Sequence, residues 1–443
     1  ALKRVLGPGQ LVALGIGDII GAGIFVLTGL AAAQYAGPAI LLSFLMAAVA
    51  CAFAALCYSE FAAMIPISGS AYTYAYATLG EFAAWIIGWD LMLEYALAAA
   101  TVAVGWSGNL ITLLGQLGLT FPAAWSAARG TVVTLADGST VTAIFNLPAA
   151  LISLFVTAVL VVGIRESARV NTVVVVVKIA VVLLVIAAGI AFFDVRHFTP
   201  FIPPNTGTFG EFGVSGIFRG AAVIFFAYIG FDAVSTSAQE ARDPQRDMPI
   251  GILGSLVICT GLYIVVSAVM TGLVPYTQLN VPDPIAKAID VIGVPWLSIV
   301  IKLGAIVGLT TVMMVMLFGQ SRIFYTMSHD GLLPRAFSSV HPRFRTPWLS
   351  QILIGSLIAI VAALVPIGIL GELVSIGTLF AFVLVCGAVI YLRRSDKETF
   401  RPFRVPGVPV VPILGIGFCL LLMSGLPLDT WLRLIVWLAV GLV

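Results

Sequence analysis

Gly15-Ile16-Gly17-Asp18-Ile19-Ile20-Gly21-Ala22-Gly23-Ile24-Phe25 is an apolar run that holds one carboxylate and four glycines. A second stretch, residues 225–237 (FFAYIGFDAVSTS), repeats the theme, with Gly230 beside Asp232. Both lie inside segments long and apolar enough to cross a bilayer. A charge at that depth costs roughly 2.5–3.5 kcal/mol on insertion scales. A glycine-interrupted span with a charge beside it is the pattern of a secondary transporter's binding site. Glu94 and Lys178 are the other two ionisable residues within apolar runs.

The composition agrees with a membrane class. Of 443 residues, 60% are hydrophobic and 9% charged, where a soluble domain carries about 25% charged. No basic stripe with interleaved aromatics is present, so nucleic acid is not an expected partner. The five cysteines (Cys51, Cys57, Cys259, Cys386, Cys419) all sit in apolar spans without CxxC spacing. They read as packing residues, and neither a disulfide framework nor a metal site is expected. His197, His329 and His341 lie in or near loops with no nucleophile–base spacing, which argues against a membrane enzyme. Ala-Leu-Lys-Arg at the start runs straight into the first span, and no cleavable signal peptide is expected.

A spanning helix needs about 20 apolar residues. Twelve candidates meet that need: 10–34, 38–66, 82–114, 146–164, 169–193, 213–239, 249–274, 297–325, 347–366, 371–392, 408–425 and 429–443. The whole chain, 1–443, reads as a single transmembrane domain. With the N-terminus inside, 15 of the 22 Lys and Arg residues fall on inner segments, among them Lys3, Arg4, Arg165 and Arg169. Six fall outside (Arg129, Arg196, Arg219, Lys287, Lys302, Arg433), and Lys178 is within the fifth span. That bias puts both termini in the cytoplasm and the chain in the cytoplasmic membrane, with lipids as its surroundings. The outer loop 115–145 predicts a short hairpin at Asp137-Gly138. The segment 241–249 (ARDPQRDMP) reads as the inner loop between spans 6 and 7.

Spans 1 and 6 are the two with central glycine clusters. If 10–193 and 213–392 are two five-helix repeats, these spans correspond. Five is odd, so the second repeat enters the membrane from the opposite side. The fold expected is all-α and integral to the membrane, with twelve helices. It has two inverted five-helix repeats with discontinuous helices 1 and 6, plus two peripheral helices in 408–443. A break frees backbone N–H and C=O groups, which in lipid must find partners. Amides at a helix start favour an anion, and freed carbonyls favour a cation. One site with both suits a zwitterion such as an α-amino acid.

Four stretches carry a family resemblance: GAGIFVLTG (21–29), CYSEFAAMIPISGSAYTYAYATLGE (57–81), GFDAVSTSAQEARDPQRDMPIGI (230–252) and GQSRIFYTMSHDGLLP (319–334). Across nearly its whole length the chain resembles the amino acid–polyamine–organocation superfamily. Within it, the likeness is to bacterial relatives of the animal cationic amino acid transporters. The resemblance implies secondary transport of amino acids by alternating access. It implies that the amides of Gly21, Ala22 and Gly23 hold the substrate carboxylate, and that the carbonyls of Ile19, Phe226, Ala227 and Ile229 face its ammonium. Phe226 falls where related exchangers have an aromatic gate. Met314 and Glu94 fall at positions near the substrate side chain. Lys178 matches a lysine that replaces a sodium ion in proton-coupled relatives, so protons are the implied coupling ion and no cofactor is expected.

Read from the residues alone, Lys178 interrupts VVVVVKIAVVLLV about 14 Å along its helix from Arg169, a long way for snorkelling. It can serve as a titrating group or as a fixed structural ammonium. Asp90 and Glu94 are four residues apart and share a helix face. Asp18 precedes the first break and reads as a gate or support residue. Asp232 follows the second and reads as support for the unwinding. An acid near the pocket favours cationic substrates, whereas a bulky thioether crowds them. The substrate expected is a small neutral L-amino acid such as alanine, moved with protons, with arginine, lysine or ornithine as the alternative. A channel or an amino acid sensor is the alternative of another class. The sequence leaves open any accessory subunit.

Overall fold

The computed structural model describes residues 6–65, 69–135, 137–163 and 168–442. Lys3, Arg4 and Arg165 lie outside the described residues, as does the side chain of Arg169. The chain begins with α1 (Pro8–Ile19), where proline takes the first helical position, whose N–H has no intrahelical partner. The helix ends at Ile20, which is extended. A second half-span follows through Gly23–Leu27, α2 (Thr28–Ala31) and Ala32–Ala36. Its flanking segments are wound wider than an α-helix, and the Thr28 hydroxyl donates to the Gly23 carbonyl five residues back, at 2.9 Å.

After the Gly37-Pro38 turn come α3 (Ile40–Met64), α4 (Ser70–Thr78) and α5 (Glu81–Gln116). The outer loop forms the hairpin β1 (Val132–Thr134) with β2 (Thr140–Thr142), and Val132 pairs with Thr142. Next are α6 (Leu147–Val162), capped by Asn146 accepting from the Ala149 N–H, and α7 (Ala168–Gly189). The sixth span is α8 (Gly213–Ile224), a 3-10 turn at Phe225–Tyr228, and a 3-10 segment at Asp232–Glu240. The remainder is α9 (Pro244–Leu273), α10 (Pro284–Ile289), α11 (Pro295–His329), α12 (Trp348–Leu364), α13 (Ile367–Ser395), α14 (Val410–Ser424) and α15 (Leu428–Gly441).

Among the described residues, seven helical runs are long and apolar enough to cross a membrane. The first, Pro8–Met64, has 57 residues, about 85 Å if straight. That is nearly three times the ~30 Å hydrocarbon core. It therefore has to double back, and Gly37-Pro38 is where the winding fails. The helices α14 and α15 meet at 115°, and α6 and α12 are apolar but only 16 and 17 residues long.

Packing is ordered by pairs. The helix α3 lies on α9, α5 on α11, and α6 on α12. Contacts of α1 with α9 and α7 have counterparts in α8 with α3 and α13. Contacts of α7 with α11 have theirs in α13 with α5.

One expectation needs correction. Most of 241–249 is helix rather than loop, because Pro244 starts α9 and the Asp247 N–H donates to the Asp243 carbonyl at 2.8 Å. Proline near a helix start forfeits only an N–H that has no partner anyway. Two short helices, α4 and α10, have no counterpart in the hydropathy reading.

Ion pairs close both ends. On one side, buried Glu60 of α3 accepts from Arg393 at 2.9 and 2.7 Å, lies 3.4 Å from Arg401, and accepts the Val405 N–H at 2.7 Å. This folds the 396–409 segment back onto α3. Glu60→Gln is expected to destabilise the protein by about 3 kcal/mol, because it leaves buried Arg401 without its counter-charge. Thermal unfolding of the purified protein measures it; a midpoint equal to the parent's would refute the role. On the other side, Arg219 of α8 pairs with Glu372 of α13 and stacks on the Tyr35 ring at 5.0 Å, while Thr430 of α15 donates to Glu372. Lys302 of α11 pairs with Asp283 at the start of α10, 3.1 Å apart.

The last helix is fastened to α5 by indoles. Trp89 and Trp437 stack at 4.6 Å. Each ring N–H donates to the other residue's carbonyl, and Trp85 bonds the Gly441 carbonyl.

Candidate substrate site at the crossed breaks

The two interrupted spans run antiparallel and touch at their breaks. Gly23 abuts Ala227, so closely that a methyl there would overlap the Ala227 Cα. Gly230 abuts the Asp18 carbonyl and the Ile19 nitrogen. Its φ of +123° is open only to glycine, and a Cβ there would come within 2.7 Å of the Asp18 carbonyl carbon. Further toward the N-terminus, Gly15 lies against Val234. At the far end Phe212 N–H donates to the Tyr35 carbonyl at 2.8 Å, and near the start Leu6 bonds Glu240 and Arg242 through its backbone.

The breaks leave backbone groups without partners. Among the described residues, no backbone acceptor takes the N–H of Gly21, Ala22 or Gly23, and no donor reaches the carbonyl of Ala227 or Ile229. Phe226 is buried, and its carbonyl already accepts the Ile229 N–H at 3.2 Å. The Ile19 carbonyl accepts the Tyr263 hydroxyl at 2.7 Å, which leaves one lone pair on that oxygen. Three consecutive amides beside two free carbonyls can take up an anion and a cation a few ångströms apart.

Lys178 is 1% exposed. Its ammonium donates to the Gly17 carbonyl in the last turn of α1, and its stem lies along Gly308 of α11. Asp18 is buried next to that carbonyl, at the end of α1. On α5, Glu94 is 1% exposed, with both carboxyl oxygens unbonded, and Asp232 is its nearest acidic neighbour. The Tyr95 hydroxyl donates to Asp232 at 3.2 Å and the Ser70 hydroxyl at 3.3 Å. No cation forms an ion pair with Glu94 or Asp232 among the described residues. Asp90, one turn before Glu94, is also buried, with both carboxyl oxygens unbonded.

On α11, Val312 stands over the first break, with its methyls 3.5 Å from where a Gly21 side chain would begin. Two residues on, Met314 is turned about 200° around the helix and is only partly buried. Met316, one turn past Val312, keeps nearer to the inner face and is 2% exposed. Gly319 of the same face touches the Tyr95 ring. Tyr263, Tyr95, Ser70 and Val312 are the site neighbours that sequence reasoning missed. Of these, Ser70 stands within the quoted stretch 57–81 and Tyr95 follows Glu94, whereas Tyr263 and Val312 left no signal.

Two broken spans that touch at their breaks, with unbonded amides on one and unbonded carbonyls on the other, are the arrangement of a membrane transporter. The chain belongs to the amino acid permease family, whose model matches residues 6–443. It is similar to the methylthioribose transporter of Bacillus subtilis (strain 168), 48% identical over all of this chain and 92% of that one. It is 49% identical to the branched-chain amino acid permease BcaP of the same organism, again over 100% of this chain and 92% of the other. A more distant relative is the vacuolar cationic amino acid transporter 4 of Arabidopsis thaliana, 40% identical over 90% of this chain and 64% of the plant protein.

Proposed function

We propose that the protein is a proton-coupled symporter of small neutral L-amino acids, with alanine as the test substrate, working by alternating access. The observation that carries this reading is the juxtaposition of free amides at Gly21–Gly23 with free carbonyls at Ala227 and Ile229. A relative named for methylthioribose shows that similarity by itself does not choose the cargo. The amide-and-carbonyl pair favours a zwitterion, whose carboxylate and ammonium make charge-assisted bonds to the two halves, over an uncharged sugar, whose hydroxyls bond both more weakly. Val312 over Gly21 makes an apolar wall for a short side chain, in keeping with relatives named as branched-chain permeases.

The pairing of helices supports two inverted repeats, 10–193 and 213–392, with twelve spans in all. Nearly every main contact maps onto itself or onto a partner when the repeats are exchanged. The charge bias supports cytoplasmic termini in the cytoplasmic membrane. Lys178 is the coupling residue in this reading. A bond from an ionised donor is roughly twice as strong as a neutral one, so losing a proton loosens the tie to the Gly17 carbonyl and frees the end of α1.

A second reading, transport of arginine or lysine, is favoured by Glu94, which forms no ion pair among the described residues and whose carboxyl would meet a long basic side chain. Radiolabelled alanine and arginine uptake into proteoliposomes, with and without an inward proton gradient, separates the two. Gradient-dependent alanine uptake that arginine does not inhibit is expected. Uptake that ignores the gradient and requires internal amino acid would replace symport with exchange.

A further inference from the structure

Away from the breaks, a cavity of about 640 Å³ opens on the surface at the start of α9. Its upper wall carries Gln245 and Arg246, and its lower wall descends along Ile250, Leu253 and Gly254. Pro402 and Phe403 face it from the segment that Glu60 and Arg401 hold down. Arg246 to Gly254 is eight residues, about 12 Å of helix. Over that length the lining passes from charged to wholly apolar.

The exposed surface continues apolar beyond the cavity, with Val257 70% and Ile258 44% exposed. Arg246 is exposed and forms no ion pair among the described residues. Exposed Arg242 and Arg404 add positive charge nearby in the sequence, against one carboxylate in the rim, Asp243. Asp247 is turned back onto the Asp243 N–H at 3.3 Å.

We propose that this cavity is a binding site for an anionic phospholipid of the cytoplasmic leaflet. The phosphate sits at Arg246 and Gln245, and one acyl chain lies along Ile250, Leu253 and the Val257 side of α9. Charge complementarity selects the occupant: basic pockets at the cytoplasmic end of spanning helices take anionic headgroups. A soluble peptide would leave the apolar lower half unfilled at membrane depth, and a free phosphate would use only the upper half. Gly254, at the floor, is in contact reach of Val12 on α1. A bound lipid therefore presses on the junction between α9 and the inner half of the first span. The inference rests on the cytoplasmic orientation proposed above.

The test is native mass spectrometry of the full chain in detergent, titrated with phosphatidylglycerol, with phosphatidylcholine of the same acyl chains, and with inorganic phosphate. Phosphatidylglycerol is expected to bind preferentially. Arg246→Ala is expected to weaken it roughly fivefold, the worth of one arginine at a charged surface. Ile250→Trp, which fills the acyl slot from the exposed side, is expected to weaken both lipids. Equal binding of the two lipids, or no change in either variant, would overturn the site. Competition by inorganic phosphate alone, as strong as by lipid, would reduce it to an anion site. Orientation is read separately, by labelling Arg246→Cys with an impermeant thiol reagent from each side of sealed vesicles. Labelling from the outside only would sink the orientation and leave the lipid result to stand on its own.

Discussion

Gly23→Ala is expected to cut alanine uptake by about a hundredfold while the protein still reaches the membrane. The added methyl meets the Cα, Cβ and nitrogen of Ala227, and none of these atoms can swing aside as a side-chain tip would. Overpacking a tight contact costs about 1–3 kcal/mol, and 2.7 kcal/mol is a hundredfold. The cost falls where the breaks cross, so the amides of the first span and the carbonyls of the sixth separate. Gly261→Ala is the control, because a Cβ there meets nothing within 4 Å. Initial uptake rates in proteoliposomes, normalised to protein recovered after size-exclusion chromatography, give the comparison. If Gly23→Ala transports as well as Gly261→Ala does, the crossed breaks are not where substrate binds.

Lys178→Met has the second large effect, and its signature is a split between two assays. Methionine keeps most of the stem that lies along Gly308 and removes the ammonium that bonds the Gly17 carbonyl. Substrate still binds, since no amide or carbonyl of the breaks is touched. Exchange of labelled for unlabelled alanine should therefore persist near the parent rate. Concentrative uptake driven by a proton gradient should fall to background. The Gly17 carbonyl loses a buried donor, at about 1–3 kcal/mol, so thermal stability should drop as well. A variant that still concentrates alanine would return Lys178 to a structural role and leave the proton to another group.

The class of fold was legible because its signals are local. Glycines at 21, 23 and 230 stand beside charges in apolar runs, and the structure brings those stretches into contact at Gly23–Ala227 and Gly230–Asp18. The predicted hairpin at Asp137-Gly138 is also a local signal, and its strands pair about that turn. What escaped depends on distance along the chain or on rotation about a helix. Glu94 reads as an acid near a pocket, yet nothing local says that Asp232, Tyr95 and Ser70 converge beside it. Counting back from Gly319-Gln320 singles out Met314, but such a count cannot show which other α11 residues share the first break, since each residue turns a side chain about 100°. Val312 is the α11 side chain that comes up against Gly21. Arg219 and Lys302 read only as outer-side charges. Their pairing with Glu372 and Asp283, from elements 153 and 19 residues away in sequence, closes that side of the molecule. The short helices α4 and α10 are too brief for hydropathy to register.

The stacked Trp89 and Trp437 rings bear on how the cycle can be watched. Two indoles 4.6 Å apart with reciprocal hydrogen bonds behave as one chromophore. Its near-ultraviolet dichroism depends on the angle between the rings, and it joins the last helix to α5. If the C-terminal hairpin rides with α5 through the cycle, that optical signal stays constant on adding substrate. If the hairpin slides against α5 instead, the signal changes, and the native chain reports the motion without any label.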